Sequence, residues 1–525
     1  MLFLVFKYFV SAFLSQLRLT HKVQTVAFLI GKCIYNLFFH PLRHYPGPFL
    51  CRASRVFYLF WDIRGLSHWK VKQWHDRHGE VVRISPDELS MTHPEGWSAA
   101  YGFGAGGFDK DPKWWNKNVG GVDNILTADD RGHRRMRRLQ NPAFSDRALR
   151  SQEPSMTRYV DMLIRQLHGQ SSSAGPVVDI NLWYSFTTFD LIGDLAFGEP
   201  FHCLRDGQWH WWLTAVFDIF KAGTYIRAAR RFPTVLYYAI LLCIVPKELL
   251  QMRERQYKFG VERINRRLEQ TNTDKADFIT HTAFLFLLLL LLLLSLPSVS
   301  YILQADDEKG MTVEEMYTSA QVLIVAGSET TATALTSGTY FILSNPHVHA
   351  RLRAELDAAF ASEADITLQS TQRSRLPYLH AVIDETLRIF PPGPGAFPRV
   401  VPDGGRTILG RFVPGGTTVG MHHLSVGRSR ENYVLPDEFH PERWLAEDKR
   451  FDRDRKAASQ PFSFGPRNCI GKNLALAELR LILARMFWNF DMELCPESKG
   501  WADRQQMYTT WKKTELPIKI SPRIR

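Results

Sequence analysis

The chain has 525 residues, 45% of them hydrophobic and 22% charged. That is the balance of a globular chain, with length for a large core and for more than one ordinary domain. The net charge of +12 suits nucleic acid, anionic lipid or an acidic protein and does not choose among them. The six cysteines form no C-x-x-C pair and no disulfide framework, which argues against a zinc ribbon, a dithiol redox site or a secreted scaffold and fits a reducing compartment.

The first 39 residues are apolar with isolated interruptions. Lys7 is the only charge in Met1–Leu17 and Lys32 the only one in Val23–Phe39. A spanning helix needs about 20 mainly apolar residues, so residues 1–39 predict a retained membrane anchor, as one segment or two. An apolar core helix is the alternative. Arg43, Arg52 and Arg55 follow and would leave the body on the cytosolic side. Pro41, Pro46 and Pro48 make residues 40–48 a stiff hinge. The body is then residues 49–525.

Val81–Ser85 alternates like a strand and turn signals follow, which predicts a small sheet region over 82–101. Residues 132–145 carry the densest basic cluster, His133, Arg134, Arg135, Arg137 and Arg138. The spacing predicts a short helix ending before Pro142, with His133 and Arg137 on one face. Its other arginines fit an acidic protein partner, a nucleic-acid patch or a merely solvated face. Residues 189–201 read as a buried helix stopped by Gly198 and Pro200. Residues 209–250 are rich in Trp, Phe, Tyr and Leu, which suits either plain core helices or contact with an apolar ligand.

Phe284–Leu294 is eleven consecutive Phe and Leu residues, short of the roughly 20 a crossing needs. Such a low-complexity run arises easily from non-coding sequence, as in a retained intron or a wrong gene model, and a real membrane-contacting loop is the alternative. Sequencing the transcript distinguishes these. Thr312 and Glu315 form a capping-box pattern, and an apolar helix follows to Asn345, before Pro346. Its middle, Ala326-Gly-Ser-Glu-Thr-Thr331, mixes glycine and hydroxyl side chains that compete for backbone carbonyls and invite a local opening.

Glu385 and Arg388 stand three apart on one helix face, and Arg443 follows in Phe439-His-Pro-Glu-Arg-Trp444. Arg399 follows Pro398 beside a turn and a strand-like run. The last marker is Phe462-Ser-Phe-Gly465-Pro-Arg467-Asn-Cys469-Ile-Gly471. A loop thiol just before a helix start feels unpaired N–H groups that favour the thiolate. Gly465 and Gly471 permit unusual backbone or close approach to a flat ligand. Arg467 offers a fork for a carboxylate.

These ten residues resemble the haem loop of cytochromes P450, F-x-x-G-x-R-x-C-x-G, at every fixed position. The segments 326–331, 385–388 and 439–444 occur in that family's order, the hinge resembles that of membrane-anchored filamentous-fungal members, and against the family the Leu-rich residues 281–300 look like an anomalous insert. The resemblance implies a mainly α fold with a small β-rich part, the cytochrome P450 fold. It implies Cys469 as thiolate ligand to haem iron, with His133, Arg137, Arg399 and Arg467 on the haem propionates. Thr330 would then hydrogen-bond bound oxygen and Glu329 would help deliver protons. Glu385, Arg388 and Arg443 would form a buried structural network. The implied activity is insertion of one oxygen atom from O2 into an apolar small molecule, in fungal secondary metabolism. Electrons would come from NADPH through the FAD and FMN of a separate NADPH-cytochrome P450 reductase. The implied setting is membrane lipid, in the endoplasmic reticulum with a cytosolic catalytic domain, and no nucleic acid. An O2-independent haem isomerase or dehydratase, or an inactive haem-binding product, are the other classes open at this point.

Overall fold

The computed structural model describes residues 23–102, 108–115, 121–170, 176–234, 237–238, 247–269, 278 and 310–524. Most of the anchor segment and all of 281–300 lie outside these. Residues 23–38 form helix α1, which exposes Phe28, Leu29, Ile30, Ile34 and Phe38. Among the described residues no helix is long and apolar enough to cross a membrane. The hinge that follows is packed down. Leu42 is fully buried, and the Arg83 guanidinium donates to the Asn36 carbonyl at 2.9 Å, tying the end of α1 to the first strand.

The longer helices are α2 (Val56–Ile63), α3 (Ser67–His78), α4 (Asp130–Gln140), α5 (Asp146–Gln170) and α6 (Ile180–Phe197), then α7 (Trp211–Ala229) and α8 (Lys247–Glu269). The second half adds α9 (Val313–Ser344), α10 (Pro346–Ala359), α11 (Pro377–Ile389) and α12 (Lys472–Asn489). The strands are β1 (Val81–Ser85), β2 (Glu88–Met91), β3 (Asp109–Lys110), β4 (Val177–Asp179), β5 (Arg399–Val400) and β6 (Arg406–Ile408). They continue with β7 (Arg411–Val413), β8 (Thr418–Met421), β9 (Phe490–Leu494), β10 (Gln506–Tyr508), β11 (Thr510–Lys512) and β12 (Pro517–Pro522). The fold is mainly α with small sheets, as expected. One five-stranded sheet has the order β1-β2-β8-β5-β3 and a three-stranded sheet the order β4-β12-β9. Glu95–Tyr101 is a short helix, where only turns were expected after the strands.

Helix α9 runs for 32 residues through the middle of the core. Its start is the predicted capping box, with Thr312 Oγ1 accepting from the Glu315 N–H and Glu315 reaching back to Thr312. Its end is set by Pro346, which opens α10 at the first helical turn. Helix α6 lies along it, fully buried for most of its length and closed by Gly198 at φ 74°. Tyr184 and Thr339 join the two helices by a 2.9 Å hydrogen bond. The expected opening near 326–331 is absent. The hydroxyls of Ser328, Thr333 and Ser337 each donate to the carbonyl four residues back at 2.8 Å. They use the second lone pair of carbonyls already in the helix ladder, so the helix stays continuous.

The Glu385 network lies beside this core with zero side-chain exposure. Arg388 holds both carboxylate oxygens of Glu385 at 2.7 Å, and Arg443 Nε adds a third bond at 2.9 Å. Trp444 Nε1 donates at 3.0 Å. Asp454, not foreseen, is a second acid on Arg443.

Candidate active site

The cysteine loop folds back on itself. The Cys469 N–H donates to the Phe462 carbonyl at 2.8 Å, and Gly465–Arg467 makes one 3-10 turn. Gly465 has φ 76°, and a β-carbon there would collide with the carbonyl of Tyr101. Only glycine serves this position. Gly471 caps α12 and its N–H donates to the Cys469 sulfur. The side chain keeps an exposed face. Burial pushes the free thiol's pKa up, while the Gly471 N–H, Arg137 and Lys472 pull it down without prevailing. The helix-start argument thus names the groups that favour the thiolate.

Basic side chains gather around this loop. Arg137, on α4, holds the loop itself, donating from Nη2 to Asn468 Oδ1 at 2.9 Å and from Nη1 to the Asn468 carbonyl. Arg467 Nη2 binds Asp130 at 2.7 Å, and its Nη1 is buried without a partner. Arg399 sits on β5 over the Tyr101 ring, with Nε also buried and unpartnered. His133, behind them on α4, is buried. Burial, then Arg467, lowers its pKa to about 4, so it is neutral at pH 7.

Sequence reasoning missed Lys110. The antiparallel register sets it opposite Arg399. Burial, then Arg467 and Arg399, lower its pKa to about 7. Arg135, one of the arginines read as solvated or docking, instead ion-pairs with Glu315 and ties α4 to α9.

The cluster therefore presents cationic donors with unfilled hydrogen bonds and, among the described residues, one acid in direct contact, Asp130. Two carboxylates would complete it. Cys469 belongs to no group of three metal-ligating side chains among the described residues. A metal held there needs its remaining donors from a ligand, as iron in a porphyrin has. The residues fit a haem.

On α9, Ala326 and half-exposed Thr330 stand one turn apart. The Thr330 hydroxyl donates to the Ala326 carbonyl, the ordinary back-bond of a helical threonine. Gly327 faces α6, where a β-carbon would meet Ile192 at 2.8 Å, so close helix packing accounts for it. Glu329 is buried with an unforeseen partner. Lys513, just past β11, reaches its Oε1 at 2.6 Å and Thr333 Oγ1 at 2.9 Å. Burial raises the Glu329 pKa, and Lys513 and Thr333 oppose that shift.

Glu478 was missed as well. It lies on α12 against Thr331, with Oε2 unpartnered. Burial raises its pKa to about 8, so it is neutral at pH 7. A raised carboxyl favours the folded state below its unfolded value, and that advantage is lost as pH rises through about 8. Glu478→Gln should therefore flatten the loss of stability as pH rises from 4.5 to about 8. It should raise the melting temperature above that range by roughly 5 °C, as a thermal-melt pH series would show.

A family model described as Cytochrome P450 matches residues 46–520. The chain belongs to the cytochrome P450 family. Curated relatives match along nearly their whole length. Cytochrome P450 monooxygenase aclL of Aspergillus oryzae is 43% identical over 501 residues, 95% of this chain and 96% of the relative. Trichothecene C-15 hydroxylase of Fusarium sporotrichioides is 39% identical over 504 residues, 95% and 96%. Averantin hydroxylase of Dothistroma septosporum is 39% identical over 493 residues, 93% and 88%. In this P450, Gly465→Ala should cut haem content to about a tenth or less, because both φ and the Tyr101 contact forbid the loop. The absorbance ratio of haem to protein measures it.

Proposed function

We propose that Cys469 ligates haem iron and that the propionates occupy the donors of Arg467 and Arg399, with Lys110 and His133 beside them. The observation that carries this reading is the exposed thiol face at the head of α12 beside two buried, unpartnered guanidinium nitrogens. Arg137 acts through Asn468, holding the cysteine loop in shape. The protein is a cytochrome P450 monooxygenase of secondary metabolism. When bound, the haem supplies oxygen activation and insertion of one oxygen atom into a small molecule. The chain's part is to hold the cofactor, to shield the site behind α9, and to keep a proton store on Glu329 Oε1 and Lys513 Nζ. Thr330, with its hydroxyl one turn from Ala326, faces the reacting side.

Electrons come from NADPH through the FAD and FMN of a separate reductase, which docks on exposed basic residues such as Arg134 and Arg138. The apolar face of α1, with the segment before it, holds the protein on the endoplasmic-reticulum membrane, the body remaining cytosolic. The test is a carbon monoxide difference spectrum of the reduced protein, followed by NADPH and O2 consumption with added reductase. A thiolate-type Soret band in wild type, lost in Cys469→Ser, supports the reading. Cys469→Ser protein with an unchanged band ends it. A normal band without NADPH-dependent oxygen use would restore the isomerase or inactive classes.

A further inference from the structure

A cavity of about 60 Å³ opens between α2, the C-terminal part of α7, the turn at 393–398 and the hairpin β10–β11. It shares walls with the site above. The turn leads into Arg399, and the same hairpin continues to Lys513 and hence Glu329. It admits several waters or a small polar group.

Its charges are unevenly matched. Arg55 is paired with Asp87 and Glu88, and Arg231 with Asp111. Asp62 accepts from Ser67 Oγ at 2.8 Å. Arg227 has only the Thr224 hydroxyl at 2.8 Å and the face of Trp114 at 4.9 Å. Among the described residues no carboxylate hydrogen-bonds to it. Asp62 acts on it only through space, while burial lowers its pKa. Arg227 is half-buried, and a guanidinium without a bonded anion keeps charge-assisted donors open for one.

Across the cavity stands Thr509. Its φ of 84° is left-handed backbone on a residue that is not glycine. Its Oγ1 is buried without a partner. The φ belongs to the turn of the β10–β11 hairpin, where Tyr508 pairs with Thr510, and the unfilled hydroxyl at this lining position is what favours a ligand contact. Trp114 and Phe397 add an aromatic edge, 5.7 Å between ring centroids.

We propose that this cavity is a subsite for an oxyanion, a carboxylate or phenolate carried by an aromatic substrate, bound by Arg227 and Thr509 with its ring against Trp114 and Phe397. This rests on the reading that the chain oxidises a bound small molecule, and it replaces a wholly apolar substrate by one with an acidic end. The site would fix which end of the ligand points away from the haem.

The test uses the ferric, haem-loaded protein near neutral pH, with 2-naphthoic acid and methyl 2-naphthoate as probes. Binding is followed by tryptophan fluorescence and by the Soret shift. The acid should bind about tenfold more tightly than the ester. Arg227→Gln should erase that preference by weakening the acid alone, Arg227→Lys should keep part of it, and Thr509→Val should reduce it less. Equal affinities in wild type, no saturable binding of the acid, or equal weakening of both probes in Arg227→Gln overturn the proposal. The wild-type comparison stands even if a variant misfolds. The carbon monoxide spectrum of the same samples reports separately on the haem-thiolate reading.

Discussion

Glu385→Ala protein is expected to lose roughly 3–5 kcal/mol of stability, because two buried arginines would be left without their acid. Arg388 and Arg443 both close on Glu385 with no side-chain exposure. Asp454 still serves Arg443, but Arg388 keeps backbone carbonyls, Pro436 and Glu438 among them, and the Tyr433 ring, with no acid bonded to it among the described residues. The check is the half-life at a fixed elevated temperature, since a chain this long is expected to unfold irreversibly. Wild-type persistence of the Glu385→Ala protein would refute the structural role. The pH dependence has a definite sign. Burial would raise the Glu385 pKa, but Arg388 and then Arg443 outweigh it and hold the carboxyl below the usual glutamate range. Its contribution is present above the unfolded value and is lost as pH falls through the lowered one. Glu385→Gln should be weaker throughout and less sensitive to acid.

Glu329→Gln is expected to lower product formation by about 10²-fold, the lower range for a lost acid–base group, with the carbon monoxide spectrum unchanged. The amide keeps the volume and hydrogen-bonding reach but cannot carry a proton. Lys513→Met should act through the same carboxyl. Without the ammonium at 2.6 Å, the buried acid should stay protonated to higher pH. The alkaline limb of the pH–rate profile should therefore move upward in Lys513→Met and vanish in Glu329→Gln. The double variant should be no slower than Glu329→Gln alone, since both changes remove one function. Independent losses that multiply would show that Lys513 does something other than hold Glu329.

Much of this site was legible because its parts lie close in sequence. The cysteine loop, the capping box at Thr312 and the Glu385–Arg388 pair each declare themselves within ten residues. Lys110 does not, since it meets Arg399 only through a strand register. Lys513 is 184 residues from Glu329 and stands in a Lys-Lys pair that looks solvated. Glu478 lies in a helix whose apolar spacing reads as plain core, and nothing local says that it faces Thr331. The helix opening was expected on propensity, but buried packing against α6 overrides propensity. Arg137 was expected on a haem propionate, and only the fold shows that Asn468 occupies its guanidinium.

Strand β12 has a consequence for how the molecule is made. It runs between β4 and β9, and Leu516 exchanges bonds with Asp179 and Ile180 across the chain. The start of α6 is thus held by residues that a ribosome, working at about 5–20 residues per second, supplies long after α6 itself. The helices on either side of α9 must wait, partly assembled, for that closing strand. A nonsense codon just before residue 517 would leave two bare sheet edges, so such transcripts should yield aggregated polypeptide and not a shortened enzyme.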